Sequence, residues 1–420
     1  MIGPFERYDA GRRPNRQWRI LTPLAWLISF SKVWAHRGRI DKTGLPKDLK
    51  PPYFLLCNHN SFLDFMIMTK AIFPRRANYV VAIDGFIGME WLLRAVGGIG
   101  NRKFTRDIRL VKNMLHARNK GNIVILFPEA RYSFCGTSAA LPASLGKMVR
   151  LMHVPVVTLI MHGHHVNSPL WQGGNRKVKP VKAEMKLLCT QEETRTLSVE
   201  EINARLAEVF SYDDYAWQKK EGIRIRAKNR AEGLHRILYQ CPACYREYRM
   251  TSEKNMLKCT CCGKVWEMSE LGELRAQTGE TEFPHIPDWF AWERANVRRE
   301  VETNTYSFEA EVRIEALPNI KGFVVFDQPG RLTHGADGFH LSGTFEGEPF
   351  QLHWSSQFLN SCHIEYNYKK RGDCVDLSTS DDSFFLFPKN VEFSVTKIAL
   401  ATEELHRHRV ASRVLAEKAQ

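Results

Sequence analysis

The sequence predicts an α/β domain with a central sheet and flanking helices, followed by a small cysteine-rich unit and a C-terminal all-β module. Three observations lead to this fold class. Apolar strand patterns alternate with helical patterns from residue 1 to about residue 215. Two pairs of cysteines lie near residue 250, and from Tyr306 short alternating runs recur between Gly, Pro and Asp turns. A chain of 420 residues is long enough for several such units.

The patterns are regular enough to place individual elements. In the first domain the predicted strands are 53–57, 78–83, 122–127, 154–161 and 183–188. The predicted helices are 61–73, 88–95, 105–119 and 143–152, and a capping box at Ser198-x-x-Glu201 opens another that runs to Phe210. In the C-terminal module the predicted strands are 307–315, 322–326, 338–345, 349–354, 362–367, 373–378, 383–387 and 391–400, before a helix from Thr402 to Lys418. Such strands predict a barrel or a sandwich.

The most informative stretch is residues 58–64, Asn-His-Asn-Ser-Phe-Leu-Asp, which follows the apolar run 53–57. If a strand ends at His59 and a helix begins near Ser61, Asp64 turns back onto the imidazole. Such a pair can deprotonate a hydroxyl without a serine or cysteine nucleophile, because the histidine is the general base and the aspartate fixes its tautomer. The structural alternative is that Ser61-x-x-Asp64 is a helix capping box.

Three further blocks follow in order. A glycine-rich block, residues 97–102, ends at Arg102, and the apolar strand 122–127 runs into Pro128-Glu129-Ala130-Arg131. The last block is His153-Val154-Pro155, where a proline enters an apolar strand. Loops that follow strand ends are where open α/β sheets place their sites. The four blocks therefore predict one site at one edge of the sheet.

In this order and spacing, the blocks resemble those of the glycerolipid acyltransferases of the 1-acylglycerol-3-phosphate acyltransferase type, over roughly residues 20 to 215. The resemblance implies that His59 takes the proton from the free hydroxyl of a lysophospholipid as that oxygen attacks an acyl thioester. The donor is then acyl-CoA or acyl-carrier protein, and no acyl-enzyme is formed. The first-choice acceptor is 1-acylglycerol-3-phosphate, which becomes phosphatidic acid.

The resemblance also implies roles for other residues. Asp64 orients His59, Arg102 holds the acceptor's phosphate, and Glu129 with its loop shapes the acceptor site. Lys103 and Arg106, beside Arg102, are alternatives that could share its work.

The third block departs from the family's usual Phe-Pro-Glu-Gly-Thr-Arg-Ser. Ala130 replaces the glycine, Arg131 stands one position early, and Tyr132 takes the place of the arginine. Arg131 is therefore either a phosphate ligand or a structural partner of Glu129, and the sequence leaves both open.

A zinc site is predicted from four cysteines. Cys241-x-x-Cys244 and Cys259-x-x-Cys262 are separated by fourteen residues whose polar centre, 251–255, suits the turn of a hairpin. Two such knuckles complete a tetrahedral shell of four thiolates, which is typical of a structural zinc and leaves no position open for catalysis. Cys261 has no assigned ligand role, because Cys259 and Cys262 preserve the spacing.

The remaining cysteines and a histidine cluster carry less information. Cys57, Cys135, Cys189, Cys362 and Cys374 are scattered, which with thiolate zinc ligands predicts a reducing compartment without disulfides. Cys57 lies beside the first block, but its apolar strand favours a buried side chain over a nucleophile. The cluster His162, His164 and His165 is predicted to line the substrate or to be merely exposed, with no carboxylate nearby.

The amino-terminal segment is basic and apolar at once. Residues 1–50 hold eleven Lys/Arg and four Asp/Glu, so +7 of the net charge of +14 lies there. The tryptophan-rich stretch Trp18–Trp34 is too short and too interrupted, by Pro23 and Lys32, for a bilayer span. It predicts an interfacial anchor on anionic lipid, with an amphipathic helix packed on the sheet as the alternative. We expect a cytoplasmic protein, peripheral on the inner face of the membrane.

These predictions divide the chain into four parts. Residues 1–50 form the basic anchor, 51–235 (with 1–50) the acyltransferase domain, 236–275 the zinc ribbon and 285–420 the all-β accessory module with its terminal helix. The alternative function is a non-catalytic adaptor on a decayed acyltransferase fold that binds membrane or nucleic acid. The intact His59 and Asp64 pair favours the enzyme, the altered third block favours the adaptor, and nucleic acid is the less favoured partner.

Overall fold

The first domain is built on a seven-stranded sheet. The computed structural model describes residues 2–418, with side chains as far as residue 413. The strands are β1 (Arg39–Gly44), β2 (Phe54–Cys57), β3 (Ala77–Ala82), β4 (Gly98–Asn101), β5 (Ile123–Leu126), β6 (Val156–His162) and β7 (Lys182–Cys189). Their order across the sheet is β1-β7-β6-β2-β5-β3-β4. All neighbouring pairs are parallel except β6 with β7, so the carboxyl ends of β2 to β6 lie at one edge. The five predicted strands are confirmed, and β1 and β4 are additional.

Helices cover both faces of this sheet. They are α1 (Thr22–Ala35), α2 (Leu63–Ala71), α3 (Glu90–Ala95), α4 (Ile108–Asn119), α5 (Leu145–Met152), α6 (His164–Asn167), α7 (Glu193–Thr196), α8 (Val199–Val209) and α9 (Asp214–Lys220). Successive strand residues point to opposite faces, so Leu55 joins a core with α2 while Phe54 joins another with α4, α5 and α8. The predicted capping box opens α8, because Ser198 and Glu201 each satisfy the other's backbone N–H.

The cysteine-rich unit is a small antiparallel sheet. Its strands are β8 (Met250–Glu253), β9 (Met256–Cys259), β10 (Val265–Met268) and β11 (Leu274–Ala276), in the order β11-β10-β9-β8. β8 and β9 form the predicted hairpin across residues 254–255. A long helix, α10 (Ile286–Glu302), follows where the sequence predicts no element.

The C-terminal module is one eight-stranded antiparallel sheet. Its strands are β12 (Phe308–Leu317), β13 (Val324–Val325), β14 (Gly330–Gly335), β15 (Gly338–Phe345), β16 (Glu348–Ser355), β17 (His363–Glu365), β18 (Cys374–Ser378) and β19 (Ser383–Lys389). The order β16-β15-β14-β12-β19-β18-β17, with β13 beside β12, leaves β16 and β17 at its ends. β14 is additional to the predicted strands.

The predicted strand 391–400 is wrong, because α11 (Val395–Lys418) already begins inside it. The buried residues of this stretch include Val395, Ile398, Ala399 and Thr402. Buried residues run almost without a break from Val395 to Leu405, so the stretch shows no helical stripe. A short apolar run of this kind fits a buried strand or a buried helix equally well, and only its continuation to residue 418 shows that it is a helix.

The three units share one apolar core. Phe134 and Tyr215 of the first domain lie in the same buried cluster as Trp266 of the ribbon, Trp289 of α10 and Val375 of the module. The C-terminal module is therefore packed against the first domain and is not a separate body on a linker.

Candidate active site

The predicted histidine and aspartate meet at the carboxyl edge of the large sheet. His59 follows β2, and its Nδ1 lies 3.0 Å from Oδ2 of Asp64, near the start of α2. The same oxygen accepts the backbone N–H groups of Asn60 at 2.7 Å and Ser61 at 3.0 Å. Asp64 therefore binds the imidazole and also closes the turn before α2. Ser61 Oγ makes no hydrogen bond within the described residues, so the capping-box alternative is not what forms here.

Two contacts fix the chain around His59. Asn58 donates its side-chain amide to Met161 O at 2.9 Å and accepts from Met161 N at 2.8 Å, which ties the end of β2 to β6. Ser133, in the loop after β5, donates its backbone N–H to His59 O at 3.0 Å. The first block is therefore joined to the end of β6 by side-chain hydrogen bonds and to the third block by a backbone hydrogen bond.

His164 is a site residue whose role the sequence does not predict. Its Nδ1 lies 2.5 Å from Oδ1 of Asp64, and its side chain is fully buried. It follows β6, which is parallel to β2 and so ends at the same edge. Asp214 accepts the backbone N–H groups of Gly163 and His165, which holds the turn.

The prediction that this histidine cluster is exposed or without a carboxylate nearby is wrong. His164 and His165 are fully buried, and the carboxylates of Asp64 and Asp214 are in contact with the segment. In the sequence, the signal for these site residues is a polar cluster at the end of an apolar strand. That strand, β6, runs parallel to β2 and so ends at the same edge of the sheet.

The electrostatics suit a neutral histidine held by an ionised aspartate. Burial disfavours the charged form of Asp64, but hydrogen bonds from His164 and His59 outweigh it and lower its pKa. A carboxylate only accepts, so His59 carries its proton on Nδ1 and leaves Nε2 with a lone pair. Burial outweighs the effect of Asp64 on His59 and lowers its pKa below the ordinary histidine value. At neutral pH His59 is therefore available as a base.

Aromatic rings surround His59. The ring of Phe127 stacks on the imidazole at a centroid distance of 4.1 Å, and that of Tyr132 lies 4.3 Å away. The His59 side chain is 16% exposed. The third block therefore forms a wall of the histidine's site through Phe127 and Tyr132.

Arg102 is buried against the C-terminal module. Its guanidinium donates to Leu317 O and Pro318 O, each at 2.9 Å, and to Ser383 Oγ at 3.0 Å. Burial lowers its pKa to about 10. The hydrogen-bond partners of Arg102 therefore belong to the C-terminal module, and a phosphate-binding role for it stays a prediction.

Arg131 also contacts the C-terminal module. It donates to Glu403 of α11 at 2.7 Å, with both side chains buried, and its guanidinium lies 3.8 Å from the centre of the Phe134 ring. Glu403 also accepts from Ser361 Oγ and pairs with Arg294. The sequence leaves two roles open for Arg131, phosphate ligand or structural partner of Glu129. The arrangement is a structural ion pair, but its partner is Glu403 and not Glu129.

Glu129 lies beneath the site. Ala139 N donates to it at 3.3 Å, and the hydroxyl of Tyr212 is 3.4 Å from both of its oxygens and 3.3 Å from Asn60 Oδ1. Burial raises its pKa to about 8, which favours the protonated form at neutral pH. The arrangement links the first and third blocks, and contact of Glu129 with an acceptor stays a prediction.

The four cysteines predicted as metal ligands come together. Cys241 Sγ lies 3.8 Å from Cys262 Sγ, and Cys244 Sγ lies 3.7 Å from Cys259 Sγ. All four sulfurs are within 4.8 Å of one another. Four thiolates on a tetrahedron with Zn–S bonds of about 2.3 Å are separated by about 3.8 Å. The cluster therefore fits a metal of that coordination, and exposed Cys261 lies outside it.

The other cysteines offer no nucleophile at the site. Cys57 is fully buried, and burial raises its pKa well above the ordinary thiol value. No disulfide forms within residues 2–418. Neither observation gives the site a thiol nucleophile, and a catalytic role for His59 stays a prediction.

Comparison with known proteins shows similarity over part of the chain. Residues 39–162 match the protein-family model Acyltransferase. A search of curated proteins gave no match. Among solved structures, the chain is similar to the 1-acyl-sn-glycerophosphate (LPA) acyltransferase PlsC from Thermotoga maritima, at 16% identity and a TM-score of 0.38, over 45% of this chain and 76% of that one. The family match is limited to residues 39–162. The four-cysteine unit and the C-terminal β-sheet module lie outside it.

Proposed function

We propose that the protein transfers a fatty acyl group from a thioester donor, acyl-CoA or acyl-carrier protein, to the free hydroxyl of a lysophospholipid. The acylation of 1-acylglycerol-3-phosphate to phosphatidic acid is the first reaction to assay, because the sequence resemblance implies it. The observation that carries the proposal is the intact chain of contacts from His59 through Asp64 to His164.

The geometry supports direct transfer without a covalent enzyme intermediate. Nε2 of His59 takes the proton as the acceptor oxygen attacks the thioester carbonyl, and the imidazolium is stabilised by Asp64. The carbon–sulfur bond then breaks, and the leaving thiolate recovers the proton from His59. Atoms and charge balance without a nucleophile from the protein, which agrees with the buried, unreactive Cys57.

The test is an assay of the purified full-length protein with a radiolabelled lysophospholipid and acyl-CoA or acyl-carrier protein. Labelled diacyl product supports the proposal. No product with any lysophospholipid, together with tight RNA or DNA binding, would support the adaptor instead.

Asp64→Asn is expected to lower kcat by about 10²-fold or more, because it leaves both His59 and His164 without an ionised partner. The amide also presents N–H groups where a histidine N–H now donates, so the tautomer of His59 is no longer fixed. Steady-state kinetics on wild type and variant measure this, with circular dichroism as the folding control. A kcat within a factor of about three of wild type contradicts the assigned role.

We also propose that the chain works on the inner, cytoplasmic face of a membrane. None of the helices described between residues 2 and 418 has the length and apolar content to cross a bilayer. α1 buries Ser29 and Val33 but leaves Leu27 69% and Trp34 81% exposed. Apolar side chains in water beside a basic segment are typical of an interfacial anchor. The free thiols favour a reducing compartment.

Binding to vesicles tests this surface. We expect the full-length protein to cosediment with vesicles of phosphatidylglycerol and phosphatidylcholine, less with phosphatidylcholine alone and less at high salt. Leu24→Glu/Leu27→Glu is expected to weaken binding by about 10-fold or more, since two leucines that are exposed in the free protein and would enter the lipid surface are replaced by charges. Val410→Glu, an exposed position on α11, is the matched control. Equal binding by all three proteins would remove α1 as the anchor.

A further inference from the structure

A second group of side chains that can ligate a metal lies at the surface of the C-terminal module. It consists of Asp337, His340 and His353, which we call the histidine–aspartate cluster. One ligand atom from each residue lies within 4.8 Å of those of the other two. The cluster is separate from the four cysteines of the ribbon and from the site around His59.

The two histidines face each other across neighbouring strands. His340 of β15 is the register partner of His353 of β16. Their rings stack at a centroid distance of 4.2 Å, with planes 8° apart. Because side chains alternate along a strand, the neighbouring Phe339 and Leu341 point to the opposite face and are buried in the core. The core therefore holds the backbone that carries the histidine pair.

The carboxylate comes from the turn between β14 and β15. Asp337 lies in a two-residue turn that is closed by the pairing of Gly335 with Gly338. Ser356 donates its backbone N–H to Asp337 O at 2.9 Å and its hydroxyl to Ala336 O at 2.8 Å. The turn is therefore tied to the residue that follows β16, the strand of His353.

Both imidazoles direct the same nitrogen towards this carboxylate. Oδ2 of Asp337 lies 2.8 Å from Nε2 of His340 and 3.9 Å from Nε2 of His353. Two ligands of a tetrahedral zinc ion, with bonds of about 2.1 Å, are about 3.4 Å apart, so each separation differs from that value by about 0.6 Å or less. The three side chains are exposed, and small rotations are enough to remove this difference.

The chemistry of the donor atoms selects the class of metal. Two imidazole nitrogens and one carboxylate oxygen suit zinc and other divalent transition metals, whereas calcium and magnesium take oxygen ligands. Three protein ligands leave coordination positions for water, which differs from the closed shell of four thiolates in the ribbon. The alternative without a metal is a hydrogen-bonded group, in which His340 donates to Asp337 Oδ2 and His353 donates to Asp337 O.

We propose that Asp337, His340 and His353 bind one zinc ion at the surface of the C-terminal module, with water in the remaining coordination positions. The ion links the turn before β15 to β16, which is the end strand of the sheet and pairs along one side only. This inference is independent of the proposed acyl transfer, and it gives the module a ligand of its own.

The test is equilibrium dialysis of the full-length protein against a series of free Zn²⁺ concentrations, with bound zinc measured by atomic absorption. We expect wild type to take up one zinc ion in the ribbon and one more in the histidine–aspartate cluster. His340→Ala and His353→Ala should each move the second uptake step to a free Zn²⁺ concentration about 10-fold or more higher, since loss of a ligand costs at least as much as loss of a group that orients one. Asp337→Asn should act in the same direction, because the amide lacks the charge of the carboxylate.

His408→Ala is the matched control, because His408 is exposed on α11 and lies outside the cluster. It should take up both zinc ions as wild type does. An unchanged ribbon step in every variant, with an unchanged circular dichroism spectrum, shows that the variants are folded.

Three results would overturn the inference. The first is wild-type protein that takes up no zinc beyond that of the ribbon. The second is a second uptake step that stays at the wild-type concentration in both His340→Ala and His353→Ala, which would place that ion elsewhere. The third is an equal shift in His408→Ala, which would indicate binding by surface histidines in general.

Discussion

His59→Ala is expected to lower kcat for acyl transfer by about 10³-fold or more, within the range of about 10² to 10⁴ that is typical for loss of a general base. His164, the other histidine on Asp64, cannot replace it, because its side chain is fully buried on the far oxygen of the carboxylate. KM for the acceptor should change little, since Nε2 interacts with the hydroxyl mainly in the transition state. Initial rates over a range of acceptor concentrations give both constants.

Cys57→Ala is the matched control for this variant. It changes a neighbouring buried side chain, so it should keep wild-type kcat with a modest loss of stability. Loss of activity in Cys57→Ala, or its retention in His59→Ala, would contradict the base assignment.

The pH profile provides an independent check. The pKa of His59 is lowered, so the neutral base persists below the ordinary histidine pKa of about 6.5. In wild type kcat/KM should therefore stay level from neutral pH downward and fall only below that value, as His59 becomes protonated.

Removal of the metal from the ribbon is expected to lower the stability of the protein strongly. One zinc per chain should be found by atomic absorption, since four thiolates fit a closed structural shell. Structural zinc contributes about 10 kcal/mol or more to the folding of isolated zinc modules. Trp266 of the ribbon belongs to the core that it shares with Tyr215 and Val375. Loss of zinc should therefore destabilise the neighbouring domains as well as the ribbon. A strong chelator is expected to lower the melting temperature by about 10 °C or more.

Variants of two adjacent cysteines test whether the four-cysteine cluster binds a structural zinc. Cys262→Ser should lose zinc and reproduce the effect of the chelator on the melting temperature. Cys261→Ser, the adjacent exposed thiol outside the cluster, should keep both zinc content and stability. Wild-type protein that contains no zinc after gentle purification, and is unaffected by chelator, would contradict a structural zinc.

The sequence predicts the parts of this molecule that local patterns encode. The strand before His59 and the turn to Asp64 follow from an apolar run and a spacing of five residues, and the four cysteines follow from two short motifs. His164 escapes prediction because its partner lies 100 residues earlier in the chain, and only the parallel pairing of β2 and β6 brings them together.

The partners of Arg102 and Arg131 could not be predicted for the same reason. They come from Leu317, Pro318 and Glu403, and no pattern near the second or third block indicates that the module docks there. The family resemblance ends near residue 215. It therefore gives no information on contacts made by the C-terminal module. Tyr132 is the one local indication that this site differs from the family's pattern, because it stands where the third block usually has an arginine.

The most direct test of the central claim, direct transfer promoted by His59, follows thiol release from an acyl thioester mixed with the full-length wild-type protein, together with the intact mass of the protein. We predict that thiol appears only when a lysophospholipid is present, in equal amount to the diacyl product, and that the protein mass never increases by an acyl group. Stoichiometric thiol release without acceptor, accompanied by an acylated protein, would contradict the account, as would no release with any acceptor.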